Sequence, residues 1–109
     1  MLKITFLGTG TSQGIPIIGS KHPVCLSDNQ KDKRLRVSIA LEWKDGFFVI
    51  DCGPDFRQQM LRLNPSRLDG ILFTHEHADH TAGMDDIRPF FFRQGKIDLF
   101  MTSEVHASL

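Results

Sequence analysis

Polar and apolar residues alternate through Lys3, Ile4, Thr5 and Phe6, the two-residue period of a β-strand. The strand runs into GTGTSQGIP, where glycines and a proline end regular structure. Irregular sequence continues through IGSKHPVCLSDNQKDKR, and a loop of that length in a compact domain is usually functional or mobile. Alternation resumes in RVSIALEW at Val37, Ile39, Leu41 and Trp43, and FFVIDCG is a second strand. Together they predict a hairpin with Asp45-Gly46 as its turn signal.

Beyond the hairpin the spacing becomes helical. PDFRQQMLRL has proline at its first position, an acid beside it, and apolar residues at Phe56, Met60 and Leu63. LDGILFT is almost wholly apolar, which predicts a central, buried strand. MDDIRPFFFRQ reads as a short helix or helical turn interrupted at Pro89. KIDLFMT is a further strand, and Ser103 is placed to cap a last helix, SEVHASL, which carries no stop signal before Leu109. There is no internal repeat, low-complexity segment or linker.

The 109 residues suit one small domain with a modest core. Formal net charge is zero, so there is no electrostatic footprint for a long polyanion, and nucleic-acid binding through bulk charge is disfavoured. No stretch approaches the length of a membrane span, and MLKITFLGTG lacks the cleavage site of a signal peptide. Cys25 and Cys52, in a chain with no export signal, are weak support for a disulfide. The expected setting is reducing and cytoplasmic.

One run changes the picture. FTHEHADHTAG holds His75, His77 and His80, three of the chain's five histidines, together with Asp79. Imidazole and carboxylate are ligands for zinc and similar divalent metals. Alternate residues of an extended segment point the same way, so His75 and His77 can reach one ion together. After a bend, Asp79 and His80 can face a second. Ala78 and Ala82 are small enough to let the loop pass close to the metals.

THEHADH closely resembles the signature of the metallo-β-lactamase superfamily. LGTGTSQGIP, DKRLRVS, IDCGPDFRQQ and HTAGMDDIRP resemble the branch that includes the phosphoribosyl cyclic-phosphate phosphodiesterases and is related to the ribonucleases Z. The resemblance runs from Leu2 to about Leu109. It implies an α/β (α+β) fold: the first half of an αββα sandwich, a mixed sheet with helices on its outer face. Residues 1–109 are thus expected to be the N-terminal portion of such a domain, truncated at Leu109, with one sheet face apolar and awaiting a second sheet.

The resemblance also implies roles. His75 and His77 would hold a first metal, and Asp79 and His80 a second. Asp51, at the end of FFVID, would support the metal loop by accepting a ligand histidine's other N–H. Histidine at position 77, where di-iron relatives carry a carboxylate, favours a hydrolase using two divalent ions, Zn2+ first and Mn2+ as the alternative. Two such ions would supply hydroxide near neutral pH by acidifying a shared water, for attack on phosphorus. Asp79 would orient that hydroxide as the catalytic residue. Arg34, Arg36, Arg57 and Arg88 are candidates to grip phosphate, each weighed against an ordinary solvated arginine. The GTGTSQG loop is a weaker candidate to offer backbone N–H groups to an anion.

Relatives often carry a structural zinc in the first long loop. Here the matching positions are Ser20, His22 and Cys25. His22 and Cys25 are usable ligands and Ser20 is a poor one, so a metal-free loop is the stronger expectation. Cys52 reads as a small core residue. Relatives also take further ligands from downstream, and His106, the only later histidine, matches none of them.

Two readings follow. The chain is part of a metal-dependent phosphodiesterase acting on a cyclic phosphate or other small phosphodiester. Alternatively, it is a catalytically incomplete half-domain that binds metal or pairs with another chain, as a homodimer or with a complementing C-terminal half. Thioesters and lactams are the other substrates the superfamily implies.

Overall fold

The computed structural model describes residues 1–109 and assembles the alternating segments into one five-stranded sheet, ordered β1-β2-β3-β4-β5. Strand β1 (Lys3–Gly8) pairs antiparallel with β2 (Ser38–Trp43), and β2 with β3 (Gly46–Ile50). Strand β4 (Gly70–Leu72) runs parallel to β3, and β5 (Asp98–Phe100) parallel to β4. The change of direction has a local cause. A two-residue turn reverses the chain after β2, whereas helix α1 (Phe56–Leu63) carries it back between β3 and β4. Helix α2 (Ala78–Thr81), a 3-10 turn at Met84–Ile87 and helix α3 (Arg88–Gln94) make the second crossover. Helix α4 (Ser103–Ser108) follows β5. No helix is long and apolar enough to cross a membrane. The mixed sheet with helices on one side matches the expected fold class.

Register puts Ala40, Val49 and Ile71 on one face. That face is buried with Leu7 beneath Phe56 and Met60 of α1, Phe90 of α3 and Val105 of α4. The opposite face carries Phe6, Leu41, Phe48, Leu72 and Phe100, and it has no helix over it. Phe6 stays 68% exposed and Phe100 47% exposed. Trp43 stacks on Phe48 at 5.2 Å between ring centroids, with the planes 8° apart. A β-carbon on Gly70 would meet Phe48 at 2.8 Å and Phe100 at 3.0 Å, so glycine is what lets the two rings close over β4. An apolar face of this size is the kind of surface that protein–protein contacts cover.

Four local expectations are corrected. The hairpin turn is Lys44–Asp45, not Asp45-Gly46, because Gly46 pairs with Trp43 and lies under its indole. Pro54 precedes α1 instead of opening it, and Asp55 occupies the N-cap position with no side-chain cap bond. Its carboxylate is engaged elsewhere: Oδ2 accepts from Arg36 N at 2.9 Å and Oδ1 pairs with Arg36 Nη1 at 3.1 Å. Pro89 does not interrupt a helix but lies in the first turn of α3, where its missing N–H costs nothing. Helix α4 is capped by Thr102, whose hydroxyl accepts from Val105 N, instead of by Ser103.

Candidate metal centre

Strand β3 is followed at once by Asp51, a buried carboxylate on a left-handed backbone (φ 66°). Aspartate tolerates that region better than most residues, but the conformation is still uncommon and costs about 1–3 kcal/mol. The bend turns the carboxylate onto the segment leaving β4. Oδ1 accepts from Thr74 N at 2.8 Å, and Oδ2 accepts from Thr74 Oγ1 at 2.6 Å. Oδ2 also lies 2.7 Å from Nδ1 of His80. A charge buried this deeply needs such partners, and three donors supply them.

The backbone fixes the same juxtaposition. Cys52 N donates to His80 O at 2.8 Å, and Gly83 N donates to Cys52 O at 2.9 Å. A β-carbon on Gly53 would sit 2.2 Å from Asp79 O, and one on Gly83 would sit 2.0 Å from Gly53 O. These glycines bring the loop after β3 into direct contact with α2. Thr81 closes the other side of the turn, its hydroxyl donating to His77 O at 3.1 Å.

The histidine run is thereby gathered. The ligating atoms of His75, His77 and Asp79 lie within 4.8 Å of one another, as do those of Asp51, His75 and His80. Ring centroids of His75 lie 4.6 Å from His77 and 4.0 Å from His80. Nε2 of His80 is 3.0 Å from Oδ2 of Asp79. His75 stands in both groups and Asp79 adjoins His80, so the donors form two neighbouring triads that share His75. Asp79 is grouped beside His75 and His77, and His80 beside Asp51, not in the His75/His77 and Asp79/His80 pairs expected. His77 is exposed, while His75, Asp79 and His80 are half-buried.

The donor chemistry fits a divalent ion. Imidazole nitrogen and carboxylate oxygen are both ligands such an ion takes, and Nε2 of His80 and Oδ2 of Asp79, 3.0 Å apart, would be within reach of one ion. Nδ1 of His80 donates to Asp51, so in a neutral ring its Nε2 lone pair faces a carboxylate oxygen. A cation suits that position.

The other candidates are placed differently. Arg34 Nη1 donates to Thr9 Oγ1 at 2.9 Å, and Arg36 is held by Asp55 and by Ser12 O. Arg88 pairs with Asp85 at 2.9 Å. Arg57 alone of the four makes no side-chain hydrogen bond, and with Arg93 and Phe90 it lines a groove of about 260 Å3 between α1 and α3. In the glycine-rich loop, the N–H groups of Gly10 and Gly14 bond to Leu35 O and Thr11 O. They are therefore not free for an anion. Nδ1 of His22 accepts from Val24 N at 3.1 Å, and Sγ of Cys25 accepts from Ile17 N at 3.5 Å. No metal-ligating set of three forms around them. The Ile17 N–H and then the Ser20 hydroxyl hold the Cys25 thiol below its ordinary pKa. Burial, with the charges of Asp86 and Asp51, pushes the Cys52 thiol well up, as expected of a core residue.

Three residues of the site were not read from sequence. Thr74 bridges Asp51 and His75, with Oγ1 2.8 Å from His75 Nδ1. Gly53 and Gly83 carry the close approach, and their signal was available: a glycine two residues after the aspartate, and another closing the histidine run.

A family described as "Beta-lactamase superfamily domain" matches residues 47–109. A diphosphatase from the PhnP family superposes with a TM-score of 0.91 at 38% identity, over 98% of this chain and 45% of that one. A ribonuclease Z from Methanococcus maripaludis is 31% identical over 97 residues, covering 87% of this chain and 26% of its own length. A protein from Porphyromonas gingivalis called octanoyltransferase is 46% identical over 88 residues, covering 80% of this chain and 18% of its own length. The chain thus spans under half of each.

Proposed function

The chain belongs to the metallo-β-lactamase superfamily, and from that premise we propose that it is the metal-holding part of a phosphodiesterase acting on a cyclic phosphate or other small phosphodiester. The observation that carries the reading is the pair of adjoining donor triads, His75-His77-Asp79 and Asp51-His75-His80, that share His75. The 38% identity to a diphosphatase and the 31% identity to a ribonuclease Z support phosphorus as the centre attacked.

In this reading His75, His77, Asp79 and His80 hold two divalent ions, with Zn2+ favoured by the imidazole-rich set and Mn2+ the alternative. Such ions, when bound, acidify water and offset charge on phosphoryl oxygens. The chain's own part is to aim the donors. Asp51 holds His80 by Nδ1, which leaves Nε2 for a metal. Asp79, whose Oδ2 lies 3.0 Å from that nitrogen, would orient the attacking water. Arg57, free of intramolecular partners, is the arginine best able to take a substrate phosphate, although its groove lies between α1 and α3. The uncovered face of Phe6, Phe48 and Phe100 is the surface for a second sheet, from a complementing half or another copy.

A second reading rests on the 46% match to the octanoyltransferase: hydrolysis of an acyl ester or thioester. The match covers only 18% of that protein, so acyl transfer can reside in its remainder. One assay separates the two. The chain is fused to the complementary C-terminal segment of the PhnP-family diphosphatase, loaded with zinc or manganese, and offered chromogenic phosphodiester, thioester and lactam substrates. Phosphodiester turnover that His77→Ala abolishes is expected. A folded, metal-loaded chimera that cleaves only the thioester or lactam would overturn the phosphodiesterase reading. The chain alone is expected to turn over little of any of them.

A further inference from the structure

We propose that Thr74 is a positioning residue, fixing which ring nitrogen of His75 carries a proton and which is left to bind metal; its consequence rests on the metal-centre reading above. A threonine hydroxyl has one proton to give and lone pairs to receive with. Oγ1 of Thr74 lies 2.6 Å from Oδ2 of Asp51. A carboxylate only accepts, so the hydroxyl proton goes there. The same oxygen lies 2.8 Å from Nδ1 of His75. With its proton committed it can only accept, and Nδ1 must donate. The neutral His75 ring therefore carries its lone pair on Nε2.

His80 reaches the same state by a shorter route, with Nδ1 2.7 Å from the same Asp51 oxygen. One buried carboxylate oxygen thus sets two histidines alike, His80 directly and His75 through a hydroxyl. The hydroxyl is itself held. Thr74 N donates to Oδ1 of the same carboxylate at 2.8 Å, and β-branching restricts the side-chain rotamer. The Thr74 contact is the only hydrogen bond to the His75 ring, which otherwise touches His77 and His80 ring to ring. Without the hydroxyl, no hydrogen bond from the chain fixes its tautomer.

The test compares Thr74→Val, which removes the hydroxyl and keeps the shape, with Thr74→Ser, which keeps the hydroxyl and drops the methyl. Long-range 1H–15N NMR of the metal-free protein, with its rings neutral, reads the tautomer of each histidine. The wild type and Thr74→Ser are expected to show His75 as the Nδ1–H form. Thr74→Val should lose that preference while His80 stays Nδ1–H, which also reports that the fold is intact. Zinc affinity should fall about 10–100-fold in Thr74→Val and recover in Thr74→Ser, the size typical of lost support behind a ligand histidine.

An Nε2–H form of His75 in the wild type overturns the proposal, and this needs no variant to fold. So does an unchanged tautomer in Thr74→Val, a Thr74→Ser protein that behaves like Thr74→Val, or an altered tautomer with unaltered zinc affinity. Failure to hydrolyse phosphodiesters would sink the functional reading and leave the tautomer result standing.

Discussion

The carbonyl oxygen of Asp79 occupies the space a side chain on Gly53 would need, 2.2 Å from the ideal β-carbon position. The obstacle is backbone, which cannot swing aside as a flexible side chain can. Gly53→Ala must therefore push α2 away from the end of β3. Its expected cost is about 1–3 kcal/mol, the range for overpacking a close contact, together with weaker zinc binding. Thermal denaturation with and without zinc checks both. A variant as stable as the wild type, with equal affinity, would show that the two loops are not locked together.

Asp51 is expected to act through the histidines and not through the fold alone. Asp51→Asn keeps the size but takes away the charge and one acceptor oxygen. Zinc affinity should fall about 10–100-fold. Competition against a chromophoric chelator measures it. Unchanged affinity would remove Asp51 from the centre.

Asp69 gives the fold an acid-sensitive joint. Its carboxylate accepts from Phe47 N at 2.7 Å and pairs with Arg67. Burial pushes its pKa up, but the Arg67 and Phe47 hydrogen bonds outweigh that and hold it below the ordinary carboxylate value. A folded-state pKa that is depressed contributes stability above the unfolded value, about 3.9, and loses it as pH falls through the folded value. Urea unfolding should therefore show a stability loss below about pH 4 that is shallower in Asp69→Asn. Identical acid profiles would contradict this.

The two thiols should react in opposite ways. Cys25, lowered by the Ile17 N–H and the Ser20 hydroxyl, should be alkylated by iodoacetamide in the native protein. Cys52, fully buried, should label only on unfolding. Mass spectrometry of the labelled peptides distinguishes them, and native labelling of Cys52 would mean the β3–α2 contact opens readily.

Much of this was legible in the chain because local pattern and final position agree. The alternation at Ile39, Leu41 and Trp43 became the open sheet face, and the apolar run at Ile71 became a buried parallel strand. The misplacements arose where a distant partner decided the outcome. Trp43 covers Gly46 and moves the turn, while Asp55, whose carboxylate Arg36 holds from 19 residues upstream, sits ahead of α1 instead of inside its first turn. The site divides the same way. Four donors within six positions are visible as a cluster. A threonine hydroxyl that works by facing a carboxylate 23 positions away leaves no such trace. Nor does the left-handed backbone of Asp51, which only the tertiary contact explains.

A calorimetric zinc titration of the metal-free protein beside its His75→Ala/His80→Ala variant decides whether these histidines hold a metal. The wild type is expected to bind zinc saturably, and the double variant to lose that binding while keeping its sheet and its circular dichroism spectrum. Zinc that fails to bind the wild type, or that binds both proteins equally, would contradict the metal-centre reading.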